Sequence, residues 1–444
     1  MKMLSYKRDI HNSWMFIILY CSIGVVSGIL FDSLMTFLQA TSPELAKSFA
    51  SYLGLSTFAG ALIMLLVPKL GYKRIMLCGA IVGVMSMIAV INVQKSFLVH
   101  ISVFLLITSI SLFDVVLPPY LSTYTTEQNR SVFFTRALFS NISGAIIGTF
   151  LGGPMIVWKL SMKLHISYQY TKEMTERVQE FSSIQYNYYV AAHREVLLFF
   201  VFILSLAIVP ILFISEAQAD YRETIIEKKI KNSRFQWNLH FNKYAAIFLA
   251  YMGICKIAAS MIIPYVSIYL GILGIDRATT SMIITAQYFA IGSFMLITPY
   301  LVKRIGQVKT LGWLCLASIP FMFIIGNIGF LGSNVAWLVG CALFFRTGLI
   351  NATNPIVTSL PMELVSKSLR PVYASSIFIV QGLSQTVTGL FTKQFLFTSN
   401  TGYSQAYIIA GFLFSIASIL LLFIFTKDYN FPKNHEERLK EVNV

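Results

Sequence analysis

The chain divides into apolar runs of about 20 residues, the length a helix needs to cross a ~30 Å hydrocarbon core. Twelve such runs can be marked, at 13–39, 47–67, 75–93, 97–121, 132–158, 194–215, 244–271, 281–302, 310–329, 333–356, 371–395 and 405–426. Inside lipid a backbone N–H or C=O finds no partner except its own chain, so each run has to be helical. The expected fold is an all-α polytopic membrane protein, with twelve transmembrane helices in two six-helix bundles related by pseudo-two-fold symmetry. Composition agrees: 56% of the residues are hydrophobic and 12% are charged, about half the charged share of a soluble domain. The apolar stretch after Lys7 and Arg8 is too long for a cleaved signal peptide and reads as the first span.

A net charge of +15 can mark a nucleic-acid binder, but here the cations gather in loops. With the N-terminus cytoplasmic, 23 of the 34 Lys and Arg residues fall on that side, nine fall on the other, and Lys256 and Arg346 lie inside the membrane. That bias orients a multi-pass protein of the plasma membrane with both termini cytoplasmic, and no nucleic-acid signature accompanies it. The five cysteines lie within apolar runs without C-x-x-C spacing, so neither a disulfide nor a metal site is expected. No cofactor is expected, and the chain is expected to act as a monomer.

Two connections are long: an outer loop at 159–193 and a charged linker at 216–243. The linker divides the chain into bundles at 1–215 and 244–444. The second bundle repeats the first. Pro119, Ser122, Thr123 and Glu127 recur 236 positions later as Pro355, Thr358, Ser359 and Glu363. Gly71, in a basic loop with Lys69, Lys73 and Arg74, recurs as Gly306 beside Lys303, Arg304 and Lys309. Gly144, Gly148 and Gly152 correspond to Ser384, Thr388 and Thr392, small residues four apart that allow close helix contact.

Two six-helix halves, a middle linker and a basic, glycine-containing loop after spans two and eight resemble the major facilitator superfamily. The family's loop reads G-x-x-x-D-R-x-G-R-[RK]. Here Lys69, Gly71 and Lys73 match it, while Pro68 and Tyr72 depart from it, and the second copy has Lys303 at the aspartate position. The segment 118–136 is loosely similar to the corresponding connection of the sugar–cation symporter branch. The resemblance implies alternating access between two bundles around a site near the membrane midplane.

Ionisable residues inside the membrane are costly, so each is a candidate site residue. Asp32, Asp114, Lys256 and Arg346 qualify. Lys256 and Arg346 are candidate counter-charges for substrate or partners of a titrating carboxylate, Asp114 a candidate proton carrier, and Asp32 a candidate for the outer vestibule or for coupling. For each, the competing reading is a structural ion pair. Gln287, Asn351, Gln381 and Gln385 are candidate cavity-lining residues, against interhelical hydrogen bonding. Lys69, Lys73, Arg74, Glu127, Arg304, Lys309 and Glu363 are candidate gating residues at the inner face.

The expected function is secondary transport of a small organic solute through the lipid bilayer, coupled to protons, with export of an amphipathic or anionic compound as the leading direction. Import of a sugar or nutrient with a cation is the alternative within transport. A transporter-like receptor using the loop 159–193 is the alternative of another class. No G-x-x-x-x-G-K-[ST] sequence is present for ATP, and no hydrolase motif argues for an enzyme.

Overall fold

The computed structural model describes residues 2–93, 95–220, 243–330, 334–365 and 370–431. The linker from 221 to 242, the tail beyond 431, Lys367 and the side chain of Glu127 lie outside the described residues. Among those described, the chain is helical and contains no strand. Each expected run corresponds to one helix, with ends that for the most part differ by a few residues. These are α1 (Lys7–Thr41), α2 (Phe49–Met64), α3 (Tyr72–Asn92), α4 (Ser96–Tyr124), α5 (Val132–Leu164) and α6 (Ser183–Phe213) in the first half. The second half holds α7 (Lys243–Ile272), α8 (Arg277–Met295 with Thr298–Ile305), α9 (Gln307–Gly326), α10 (Val335–Glu363), α11 (Arg370–Phe391) and α12 (Thr401–Tyr429).

The outer loop is shorter than its composition suggests. Helix α5 continues to Leu164, and α6 begins at Ser183 behind a Ser182–Gln185 capping box. Such a box can start a helix well before its apolar run. Lys159 and Lys163 of α5 pair with Glu195 of α6 at 3.2 and 2.5 Å, which ties the extended ends together. Only a short helix, Tyr168–Met174, and a 3₁₀ turn, Thr175–Glu180, connect them.

Small residues set how closely the helices approach. A methyl group at Gly144 or Gly148 of α5 would meet the α1 backbone at Cys21 and Val25. Across the halves, Gly153 of α5 abuts Arg277 and Ser281 of α8, and Gly54 of α2 abuts Gly382 and Thr386 of α11. Hydroxyls cross at the same seams: Ser51 Oγ donates to the Thr386 carbonyl (3.0 Å) and Thr285 Oγ1 to Thr149 Oγ1 (2.9 Å). Tyr265 OH donates to the Lys47 carbonyl (2.9 Å), and Lys393 lies 3.6 Å from Glu44. These contacts lie toward the face opposite the chain ends, here the far face. The molecule is therefore closed at the far face.

At the face that carries the chain ends, the duplicated Pro-to-Glu segments present the same hydroxyls, and Ser122, Thr123, Thr358 and Ser359 are all exposed. The duplicated loops also share one backbone form. Gly71 (φ 84°, ψ 163°) and Gly306 (φ 88°, ψ 163°) occupy a region that side chains disfavour. Each glycine opens the following helix, and the polar end of the last helix in its half caps that opening. Glu216 accepts from the Tyr72 and Lys73 N–H groups at 2.6 and 3.2 Å. Asn430 accepts from Lys309 N–H (2.9 Å) and Gln307 N–H (2.7 Å), through its side chain and carbonyl respectively.

This capping predicts a paired result. Gly306→Ala adds both positive-φ strain and a clash with Asn430, and should lower the thermal unfolding temperature of the detergent-solubilised protein. Gly292→Ala, in the interior of α8 with open space around it, should leave that temperature unchanged or raise it, because alanine is the better helix former by about 1 kcal/mol.

Candidate functional site

Within the spanning helices, two pairs of opposite charges face each other across the halves, at different depths. The outer one is closed. Asp32 lies in a π-helical turn, Leu30–Leu34, that interrupts α1; such turns recur at functional positions. Its carboxylate is fully buried, 2.7 Å from Arg277 Nη2 of α8, and accepts from Ser281 Oγ at 2.5 Å. Arg277 Nη2 also donates to Ser33 Oγ at 3.1 Å. Its backbone N–H donates to Thr175 Oγ1 of the outer connection at 3.1 Å, so the connection straps this pair from above.

Arg277 was not singled out in the sequence. The available signal was Asp276, which caps α8 by accepting from Thr279 N–H at 2.8 Å. That cap places Arg277 in the first helical turn, where the helix dipole disfavours a cation. A cation there needs an acid from elsewhere, and Asp32 supplies it.

The inner pair is open. Asp114 of α4 and Lys256 of α7 face one cavity of about 220 Å³ between the halves, with Ser27, Thr57, Ser111 and Gln385 among its lining. Asp114 lies deep among helices yet keeps an exposed side chain, and Lys256 is half-buried. Each charge is within the electrostatic reach of the other. The carboxylate accepts a 2.6 Å hydrogen bond from Tyr20 OH of α1. The first half thus presents a held carboxylate and the second half an ammonium.

The other candidates divide clearly. Gln385 lines the cavity. Gln287 accepts from Thr347 Oγ1 at 3.1 Å, an α8–α10 bond, and Asn351 donates to the Thr347 carbonyl of its own helix at 2.9 Å. Gln381 is half-buried and is not among the cavity's lining residues. Arg346 is 2% exposed within the second half, with Tyr407 and Cys315 as its ionisable neighbours, and it does not line the cavity.

Two of the candidate gating residues bond within their own halves. Lys73 Nζ donates to the Leu212 and Ile214 carbonyls at 2.8 and 2.7 Å, where it closes the end of α6. Glu363 accepts from Gln307 Nε2 at 3.1 Å. Lys69, Arg74, Arg304 and Lys309 are exposed. The acid that faces the first basic loop is Glu216. Burial raises its carboxyl above the ordinary range, and Asp220 adds to this, while the two N–H donors and Lys73 oppose it.

The buried pair gives a test. Asp32→Asn leaves Arg277 without its counter-charge, and such losses cost about 3–5 kcal/mol. With Leu53→Cys as a reporter in the central cavity and the other cysteines replaced, alkylation by an impermeant reagent from the far face should accelerate. The double variant Asp32→Asn/Arg277→Met should label more slowly than Asp32→Asn alone.

The comparisons with known proteins agree with this architecture. The family model described as the Major Facilitator Superfamily matches residues 13–389. No curated sequence matches the chain. Among solved structures, the nucleoside transporter NupG superposes with a TM-score of 0.66 at 13% identity, covering 94% of this chain and 99% of that one. A D-xylose-proton symporter gives 0.65 at 13% identity, over 96% and 97% of the two chains. The Escherichia coli fucose:proton symporter FucP gives 0.58 at 17% identity, over 94% and 99%. At these identities the likeness shows the fold: twelve helices in two six-helix bundles. With most of its length matched by the family model, the chain belongs to the major facilitator superfamily.

Proposed function

We propose that the chain is a proton-coupled symporter that takes up a small uncharged, hydroxyl-rich solute, of the sugar or nucleoside class, by alternating access. The observation that carries this reading is the Asp114 carboxylate, exposed to a cavity between the halves and opposed by Lys256 from the other half. A carboxylate at this depth is a proton acceptor that can be reached from water. Ionised, it attracts Lys256 across the cavity and draws the halves together. Protonated, it loses that attraction, and the balance between the two access states shifts. A difference of a few kcal/mol between states is enough to move their populations.

The lining supports the substrate class. Asp114 and Lys256 offset each other, leaving no net charge to hold an ion. The remaining polar groups named above, on Ser27, Thr57, Ser111 and Gln385, are neutral donors and acceptors. The cavity is smaller than the ~300–1,000 Å³ of sites for drug-sized ligands, which favours a compact solute over a large amphipath. The solved structures of similar fold include transporters named for nucleosides, D-xylose and fucose, two of them proton symporters. The cation bias supports an orientation with the face of the chain ends in the cytoplasm. In this orientation the closed far face is extracellular.

A screen of pentoses, hexoses and nucleosides in proteoliposomes with an imposed pH gradient tests the reading. One class should accumulate against its gradient and collapse when protonophore is added. Asp114→Asn should reduce proton-driven accumulation by ~10-fold or more while leaving downhill exchange. Lys256→Met should also lose accumulation. Unchanged proton-driven uptake in both variants would sink the proposed site.

A further inference from the structure

We propose that the far face carries a second ligand site, for a small uncharged polyhydroxylated solute, which exists only while that face is closed. A cavity of about 390 Å³ lies above the Asp32–Arg277 pair and outside the central cavity. Thr36, Gln39, Tyr186 and Tyr189 of the first half form one wall, and Ser267 and Arg277 of the second half form the other. The segment from Thr175 to Glu180 closes one side, bound to the second half through Thr175 Oγ1 and the Arg277 N–H. Since the walls come from both halves, opening the far face takes the site apart.

The chemistry of the lining selects the ligand. Arg277 is 4% exposed, and its Nε and Nη1 have no hydrogen-bond partner; the Gln39 Oε1 has none either. Buried donors and acceptors are costly when unmatched, and a hydroxyl group can serve both kinds. Two pairs at the lining cancel, Arg277 with Asp32 and Arg177 with Glu180, and the one lining acid left over, Glu176, has an exposed side chain that water can solvate. An ion of either sign therefore gains little, while the Tyr186 and Tyr189 rings offer flat apolar walls. An occupant binds only the closed form, so by linkage it holds the far face shut. The site makes no demand on what the central cavity carries.

Hydrogen exchange on the full chain in nanodiscs, with sorbitol as the probe, tests this. Sorbitol at twice its dissociation constant should slow exchange of amides in 168–181 and 277–280 about threefold, with saturation. Acetate and methylammonium should not. Gly271 lines the cavity and a side chain built there meets open space, so Gly271→Leu should abolish the sorbitol effect while keeping unliganded exchange unchanged. Asn400→Trp, at an exposed lining position, is the second filling variant should the first fail to fold. No saturable slowing, equal slowing by the ions, or an undiminished effect in a folded filling variant would overturn the proposal.

Discussion

A charge inside a bilayer persists only beside something that answers it, and the two halves of this molecule answer each other. Asp32 belongs to the first half and Arg277 to the second, and each is buried only because the other is present. The glycine seams at α5–α8 and α2–α11 permit that approach, since a single methyl at Gly153 or Gly54 would force the helices apart. Close packing and the ion pair are thus one arrangement. Opening the far face would break the seams and separate two charges, which water would then have to solvate.

The inner pair differs in degree of closure, and that difference sets how much water reaches each acid. Asp32 has an arginine and two serine hydroxyls around it and no exposure. Asp114 has one hydrogen bond, from Tyr20, and an exposed face. Arginine stays protonated under essentially all conditions, so the outer pair works as a fixed electrostatic latch. A carboxylate facing lysine across an open cavity can exchange its proton with water. The same two residue types thus serve different ends according to how much water reaches them.

The twelve spans were legible because lipid enforces both their length and their helicity. Asp114, Lys256 and Gln385 were legible because polar residues at mid-span are costly and stand out. Arg277 was not, because at the start of α8 it resembles a loop cation, and no local pattern points to residue 32. The contacts that hold the basic loops were missed for a similar reason. The partners that hold the loops, Glu216 and Asn430, sit just beyond the apolar runs of α6 and α12, where sequence shows only a polar residue after a helix. Contacts between distant helix ends are decided by tertiary packing, which hydropathy does not encode. Gln287 and Asn351 carried no signal that could separate a hydrogen-bonded helix contact from a cavity wall.

The internal repeat explains what is shared between the halves, and its exceptions mark what is not. Shared are the positive-φ glycine loops capped by the last helix of each half, the exposed hydroxyl pairs, and the small-residue helix seams. Duplication preserves these parts in both halves. The charges break the symmetry. At the repeat offset, Asp32 corresponds to Ile268, Asp114 to Ile350 and Arg346 to Ile110. A symmetric set of charges would place like against like across the two-fold axis, and repulsion would hold the halves apart. With Asp32 and Asp114 on the first half and Arg277 and Lys256 on the second, the charges that face each other attract. The electrostatic asymmetry therefore does more than decorate a symmetric scaffold, because it lets the two bundles close on each other.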